Sequence, residues 1–341
     1  MLPFRYQRVD TAEAAIDAFG MARAADVIQS PVQYLAGGTT LIDLMKIEVM
    51  RPDTLVDINS LADTRLGRIE ADADALRLGA MVRMADAADH EAVRRDYPVI
   101  AQSLTLAASQ QLRNMASLGG NVLQRTRCGY FRDVSYQQCN KRRPGSGCAA
   151  LNGVNRAHAV LGASQHCIAV YPGDFAQALI ALDAMVEVCG PVGARTLPFA
   201  ALHRFPGHTP DVETTLAPGE IITAFIILAA PWYRRSLYLK IRDRESYEFA
   251  LASAAVVLDL RDGVVREARI ALGGVATVPW RALAAEALLR GEPLDEAILR
   301  QAARAAFIHA EPREHNAFKV ELGERTLIRA LKQAAAMELS P

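Results

Sequence analysis

Apolar residues recur at helical spacing from about 10 to 24, with Asp10 or Thr11 placed to cap the first turn and Glu13 inside it, which predicts an amphipathic helix. A short apolar run at 32–35 predicts a strand that runs into AGGTT. Helical spacing returns over 41–49, and TLVDI at 54–58 predicts the next strand. This is a βαβ-like opening with a glycine turn between strand and helix. Residues 74–83 predict a strand ending at Gly79, 84–92 a helix, and 98–111 a strong helix rich in Ala and Leu.

The pattern then breaks. From 124 to about 157 neither a period of 2 nor one of 3.6 is sustained, while Gly, Pro, Asn, Arg and Cys accumulate. An irregular stretch of that length inside a compact chain tends to be functional. Regularity returns with HAVLG and CIAVY, a helix over 174–184 and a strand over 185–189. Strands near 221–228 and 236–242 follow, then strands in SAAVVLDL and VVREARIALGG and helices near 280–290, 294–306 and 323–337. No internal repeat is present. The order predicts the α+β class in at least two subdomains.

Composition narrows the function classes. With 341 residues, 51% of them apolar and 38 charges of each sign, the chain has the balance of a soluble globular protein, and nothing points to nucleic acid or membrane. The start carries Arg5, Arg8 and Asp10 and lacks the apolar core of a signal peptide, so the expected location is cytoplasmic, or periplasmic if a signal-bearing partner carries the chain. The cysteines are Cys128, Cys139, Cys148, Cys167 and Cys189, and the first four fall in one window of 40 residues. That crowding and the odd count favour metal or redox use over a disulfide framework.

Two glycine turns are candidate anion sites. In LAGGTT, Gly37 and Gly38 leave backbone N–H groups bare at a helix N-terminus and Thr39 and Thr40 offer hydroxyls; a tight turn with a Thr N-cap is the plainer alternative. A second pair, Gly119 and Gly120, stands beside Arg113, Asn114, Ser117 and Asn121. Two such turns suit a pyrophosphate gripped from both sides, with neither a P-loop lysine nor a GxGxxG motif.

The segments LAGGTTLIDLMK, LGAMVRMADAA, QLRNMASLGGN, YPGDFAQALIALDA, YLKIRDRESYEFALASAAVVL and ALGGVATVPWRALAAEALLRG resemble, in this order, blocks of the FAD-binding subunit of molybdenum hydroxylases. That family includes the xanthine dehydrogenase flavin domain and the medium subunit of carbon monoxide dehydrogenase. The resemblance implies a vanillyl-alcohol-oxidase-like, two-lobed FAD-binding domain, with one lobe over 1–60 and a second over 61–230. It also implies a C-terminal domain over 235–341 made of a three-stranded sheet and a helical bundle. Carried over by motif, Leu35, Ala36, Gly37, Gly38, Thr39 and Thr40 wrap the FAD pyrophosphate, and Asn114, Ser117, Leu118, Gly119, Gly120 and Asn121 close on it from the other lobe. Asp174 matches a contact to the adenosine ribose, or serves as the N-cap of its helix. Lys240 matches the lysine at the pyrimidine edge of the isoalloxazine, where a cation stabilises negative charge on the reduced flavin. Arg244 is a second candidate for that role, and a solvated strand-end charge is the alternative for either. Ile222 packs on the flavin ring or is a core residue.

In most of the family the GGN turn lies a few residues before the Asp-bearing helix. Here residues 122–173, 52 in all, separate Asn121 from Asp174, and they include the four clustered cysteines at spacing C-x10-C-x8-C-x18-C. The spacing is not that of a zinc ribbon and does not by itself define a cubane. Arg125, Arg127, Arg132, Lys141, Arg142, Arg143 and Arg156 crowd the insertion against Asp133 alone, which suits an anionic thiolate centre of either kind or a solvated basic loop. The stretch RTRCGYFRDVSYQQCNKRRPGSGCAALNGVNRAHAVLGASQHCIA resembles the loop of three-subunit bacterial aldehyde oxidoreductases whose flavin subunit holds a [4Fe-4S] cluster, and that resemblance implies Cys128, Cys139, Cys148 and Cys167 as ligands at 122–170. Cys189 is expected as an apolar filler.

The implied role is electron transfer from a large molybdenum-cofactor subunit, through a small [2Fe-2S] subunit, to FAD on this chain and on to an external acceptor. The alternatives are the flavin subunit of a 4-hydroxybenzoyl-CoA reductase or xanthine dehydrogenase and, from another class, a zinc-binding scaffold with degenerate glycine turns.

Overall fold

The computed structural model describes residues 1–20 and 30–339. Of the helix expected over 10–24, residues 21–24 lie outside the described residues.

The first lobe is a βαβαβ unit: β1 (Arg5–Arg8), α1 (Ala12–Gly20), β2 (Val32–Leu35), α2 (Leu41–Lys46) and β3 (Thr54–Asp57). β3 lies in the middle, parallel to both neighbours. Parallel neighbours require crossovers, and α2 supplies the one between β2 and β3. α1 buries Ala15, Ile16 and Phe19, at helical spacing, against Val32 and Val56. α2 buries Leu44 and Met45 in a separate apolar cluster completed by Phe131 and Cys139 of the cysteine insertion.

The second lobe begins with β4 (Ile69–Ala71) and β5 (Ala75–Gly79). Helices α3 (Met84–Asp89), α4 (Glu91–Asp96), α5 (Pro98–Thr105), α6 (Gln110–Met115), α7 (Leu118–Val122), α8 (Gly129–Arg132) and α9 (Phe175–Ala181) follow. β6 (Met185–Gly190), β7 (Gly193–Pro198) and β8 (Ile221–Leu228) complete an antiparallel sheet of order β4-β5-β8-β6-β7. The single helix expected over 98–111 is two. Ala108 takes a left-handed φ of 49°, and the Ser109 side chain accepts the N–H of Leu112 to start α6 afresh.

The C-terminal domain contains β9 (Ser236–Ile241), β10 (Ala252–Arg261), β11 (Val264–Gly273) and β12 (Trp280–Arg281), then α10 (Leu283–Leu289), α11 (Glu296–Ala306) and α12 (Phe318–Ala335). Its sheet has four strands, not the three expected, because Trp280 and Arg281 pair with Leu272 and Ala271. This also delays the helix expected from 280. Alternation along β10 explains its unbroken apolar run: Ala254, Val256 and Leu258 face the helical bundle, while Ala255 and Val257 face the second lobe. α12 starts five residues before the expected Gly323, which is no boundary. A Cβ there would meet the Phe307 ring at 2.1 Å, so the glycine lets two helices touch.

Candidate functional site

A cleft of about 290 Å³ opens between the first two lobes. Its lining includes Ala36, Gly37, Gly38, Thr39, Thr40 and, from across the gap, Ser117, Gly119, Gly120 and Ile222. The two turns singled out in the sequence therefore face one cavity.

The turns differ in their backbone. In the first, Gly38 takes φ +72°, and among the described residues none of the N–H groups of Gly37, Gly38, Thr39 and Thr40 donates to an acceptor. Thr40 precedes α2 without a side-chain capping bond, so the plain N-cap reading does not describe it. Bare N–H groups beside hydroxyls are a cradle for an anionic oxygen. In the second turn the N–H groups are engaged: Gly119 donates to Ala80 O at 2.8 Å and Gly120 to Ser117 Oγ at 3.2 Å.

The glycines are needed for different contacts. A Cβ on Gly37 would fall 2.0 Å from Met115 O, so this residue lets the two lobes touch beside the cleft. A Cβ on Gly119 would lie 3.1 Å from both Cβ and O of Ala80, so Gly119 packs the second turn onto the end of β5 and does not offer bare backbone to a ligand. Gly119 and Gly120 nonetheless both line the cleft.

Other expected contacts lie outside the lining. Leu35 is on the α2 side, its carbonyl accepting Ile58 N at 3.0 Å, and Leu118 is fully buried in the second-lobe core. Asn114 Oδ1 accepts from Gln110 on the same helix, and Asn121 Nδ2 lies 3.3 Å from Met84 Sδ. Asp174 and Lys240 form a buried ion pair at 2.7 Å, with side chains 5% and 1% exposed. Tyr238 adds a hydrogen bond to Asp174 at 2.6 Å, and Lys240 also donates to Leu106 O at 3.1 Å. The pair ties β9 to the start of α9, and neither residue lines the cleft. Arg244 is 58% exposed and bonds Tyr247 O at the strand end.

Sequence reasoning missed most of the third wall, which runs from Asp211 to Ile221 beside Ile222, and the aromatic end formed by Phe19 and Tyr34. The Tyr34 hydroxyl donates to Gly219 O at 3.0 Å, and burial pushes its pKa up. Pro218-Gly219, with Gly219 at φ +81°, was the available signal of a tight turn there. Glu213 of this wall accepts from Arg125 Nε at 2.9 Å and pairs with Lys141 Nζ at 2.6 Å. Burial works to raise its pKa, but the two cations outweigh that and hold it at about 2.

Lys141 leads to a second, small cavity, lined by Cys128, Cys139, Cys148 and Cys167 together with Phe131 and His166. The irregular insertion thus brings its four cysteines to one place. Cys139 and Cys148 sit opposite each other in an isolated antiparallel bridge. Backbone N–H groups are directed at the sulfurs: Ala169 N lies 3.4 Å from Cys167 Sγ, Phe131 and Tyr130 face Cys128, and Ala150, Ile168 and Leu151 face Cys148. As free thiols Cys128, Cys148 and Cys167 are hard to ionise, with burial raising all three and pushing Cys128 up to about 12 and Cys167 to about 11. Among the described residues, no three or more His, Cys, Asp or Glu side chains are gathered to hold an ion. Cys189 is half-buried against the first-lobe core.

The basic residues of the insertion do more than solvate it. Arg127 and Arg132 both reach Asp43 on α2, at 3.2 and 2.6 Å. Arg142 donates to the carbonyls of Tyr130, Phe131, Asp133 and Tyr136, replacing the partners that regular structure would have given them. Arg156 pairs with Asp243 in the C-terminal domain at 2.7 Å.

A two-lobed α/β fold whose glycine turns face one cleft, followed by a sheet-and-bundle domain, matches known families along nearly the whole chain. Residues 2–228 match the FAD binding domain in molybdopterin dehydrogenase, and residues 236–334 the CO dehydrogenase flavoprotein C-terminal domain. The chain belongs to the FAD-binding subunits of molybdenum hydroxylases, which are components of oxidoreductase complexes. It is 47% identical to the aldehyde oxidoreductase FAD-binding subunit PaoB of Escherichia coli (strain K12), covering 98% of this chain and 99% of that one. It is 29% identical to the carbon monoxide dehydrogenase medium chain of Afipia carboxidovorans, over 89% of this chain and 88% of the relative. Among solved structures, carbon monoxide dehydrogenase from Hydrogenophaga pseudoflava superposes with a TM-score of 0.75 at 27% identity, covering 98% of this chain and 99% of the other. No helix among the described residues is long and apolar enough to cross a membrane.

Proposed function

We propose that this chain is the FAD- and [4Fe-4S]-carrying electron-transfer subunit of a molybdenum-dependent aldehyde oxidoreductase. Its partners would be a large molybdenum-cofactor subunit and a small [2Fe-2S] subunit. The observation that most supports the aldehyde over other substrates is the 47% identity, spanning 98% of the chain, to a subunit named for an aldehyde oxidoreductase. When bound, FAD takes up electrons and passes them to an external acceptor.

The chain's own residues have four tasks. Gly37, Gly38, Thr39 and Thr40 present unengaged donors to the diphosphate, and Ser117, Gly119 and Gly120 wall it from the second lobe. Ile222, Phe19 and Tyr34 give the cleft an apolar end that excludes water from a flat ring. Lys240, its charge balanced by Asp174, holds β9 against the second lobe. Cys128, Cys139, Cys148 and Cys167 would ligate the cluster.

The residues around those cysteines fit such a group. The sulfurs face backbone donors, as iron-bound thiolates do, and Lys141 lines the same cavity. A cubane takes one thiolate at each of four corners, so its ligands are spread wider than those of one tetrahedral ion.

Anaerobic addition of an aldehyde to the purified complex tests the assignment. Bleaching of the flavin absorbance near 450 nm, about a general property of reduced flavins, is expected with an aldehyde and not with xanthine. Bleaching with xanthine alone, or no bleaching by an aldehyde together with reoxidation of the chemically reduced flavin by an aromatic thioester, would move the chain to another substrate class.

A further inference from the structure

We propose that Asn59 and Arg83 form a relay that sets the gap between the two glycine turns, making them positioning residues for the FAD diphosphate. The proposal rests on the reading that Gly37 to Thr40 and Ser117 to Gly120 hold that diphosphate. Neither Asn59 nor Arg83 lines the cleft, and neither stands out in the sequence.

The bonds run from one turn to the other. Asn59 follows β3, and its Nδ2 donates to Ala36 O at 2.9 Å and to Asp57 Oδ1 at 2.7 Å. Its own N–H also goes to Asp57 Oδ1, at 2.8 Å, and the other Asp57 oxygen accepts from the Tyr6 hydroxyl on β1. The amide is thus oriented by its neighbours: three acceptors face the nitrogen, the third being Leu35 O at 3.5 Å, and its oxygen accepts from Arg83 Nη2 at 3.1 Å. Arg83 Nη1 donates to Met115 O. That carbonyl is the group against which Gly37 packs, with room for no Cβ between them. Around Arg83 the chain lies alongside the second turn: Met84 N donates to Ala116 O and Leu118 N to Val82 O, both at 2.9 Å.

The two ends of the relay, Ala36 O and Met115 O, each adjoin residues that line the cleft. The first turn leaves its donors unengaged, so their aim depends on where the turn is held. Asn59 holds it from behind, and Arg83 refers that hold to the opposite wall. An apolar pair would fill the same space without specifying a direction. The planar amide and the forked guanidinium specify one.

FAD binding to the deflavinated complex tests this. Asn59→Ala removes both connections, and Arg83→Met, at a half-buried position, removes the second with little change in bulk. Each should raise the Kd for FAD about tenfold, from net hydrogen-bond energies of about 1 kcal/mol apiece. ADP, which carries the diphosphate, should weaken in parallel as a competitor. The flavin spectrum at saturation should stay as in the wild type, the melting temperature of the FAD-free form should fall by no more than a few degrees, and the double variant should be no weaker than the worse single one. Gly37→Val separates the relay from the reading beneath it. If Gly37→Val abolishes FAD and ADP binding while Asn59→Ala and Arg83→Met leave both intact, the relay is overturned and the turns remain. If all three variants bind FAD normally, the assignment of the turns falls with it. A drop in the FAD-free melting temperature that accounts for the loss of affinity would make the relay merely structural and overturn the positioning role.

Discussion

The cleft between the lobes and the cysteine cavity lie in the same chain but obtain their order from different sources. The cleft is assembled from regular elements: β2 delivers Ala36 to its place, α2 carries the turn away, and glycines are needed where backbones touch. The cavity is assembled from a segment with little regular structure, ordered by Arg142 on four backbone carbonyls and by ion pairs that fasten it to α2 and to Glu213. The first arrangement depends on close contact, where a single added carbon is costly. The second depends on charge, where protonation or loss of a ligand is costly. The two meet at α2, one end of which follows the bare turn while its apolar face packs on Phe131 and Cys139.

The largest expected effect breaks the cleft and spares the cavity. Gly37→Val places carbon within 2.0 Å of Met115 O, so the lobes must part. FAD should be lost altogether, as read from the absorbance spectrum, while iron content stays. The converse variant, Cys139→Ser, should remove the iron but leave FAD bound with less than about a tenfold loss of affinity, because an isosteric serine keeps most of the packing beside α2. Complete flavin loss in that variant would mean the two sites are not separable.

A smaller effect concerns acid stability. The Glu213 carboxyl has its pKa lowered from 4.5 to about 2, so the stabilisation it provides is fully present above pH 4.5 and disappears as the pH falls through about 2. The shift corresponds to about 3 kcal/mol. Glu213→Gln should therefore destabilise the subunit at pH 7 and flatten the decline of denaturant midpoint between pH 4.5 and 2. An unchanged acid profile would show that the carboxylate is not held by Arg125 and Lys141. The smallest effect is that of Gly119→Ala. A methyl at 3.1 Å from Ala80 requires a shift of tenths of an ångström, costing about 1 kcal/mol, and FAD should remain bound.

This division also sets what was legible in the sequence. The first turn was legible because its chemistry is local: strand, two glycines, two threonines and a helix are contiguous. The gathering of four cysteines followed from their crowding and the resemblance of their loop, and the structure lines one cavity with them. Less accessible was anything made by residues far apart in the chain. Asp174 and Lys240 carry motifs that imply cofactor contacts, yet 66 positions apart they pair with each other. The third wall at 211–221 has no motif, and its Pro-Gly turn and the neighbouring Ile222 were the marks available. Gly119 was recognisable as necessary, but only the fold reveals that it also packs against Ala80. The break at Ala108 was hidden because a helical apolar pattern continues through a residue in the left-handed region.

The measurement that bears most directly on the account is the iron and acid-labile sulfide content of this subunit, separated from its partners, per FAD. The account predicts about four of each for every FAD, the composition of one cubane. One FAD with a single zinc, or with neither iron nor sulfide, would contradict it.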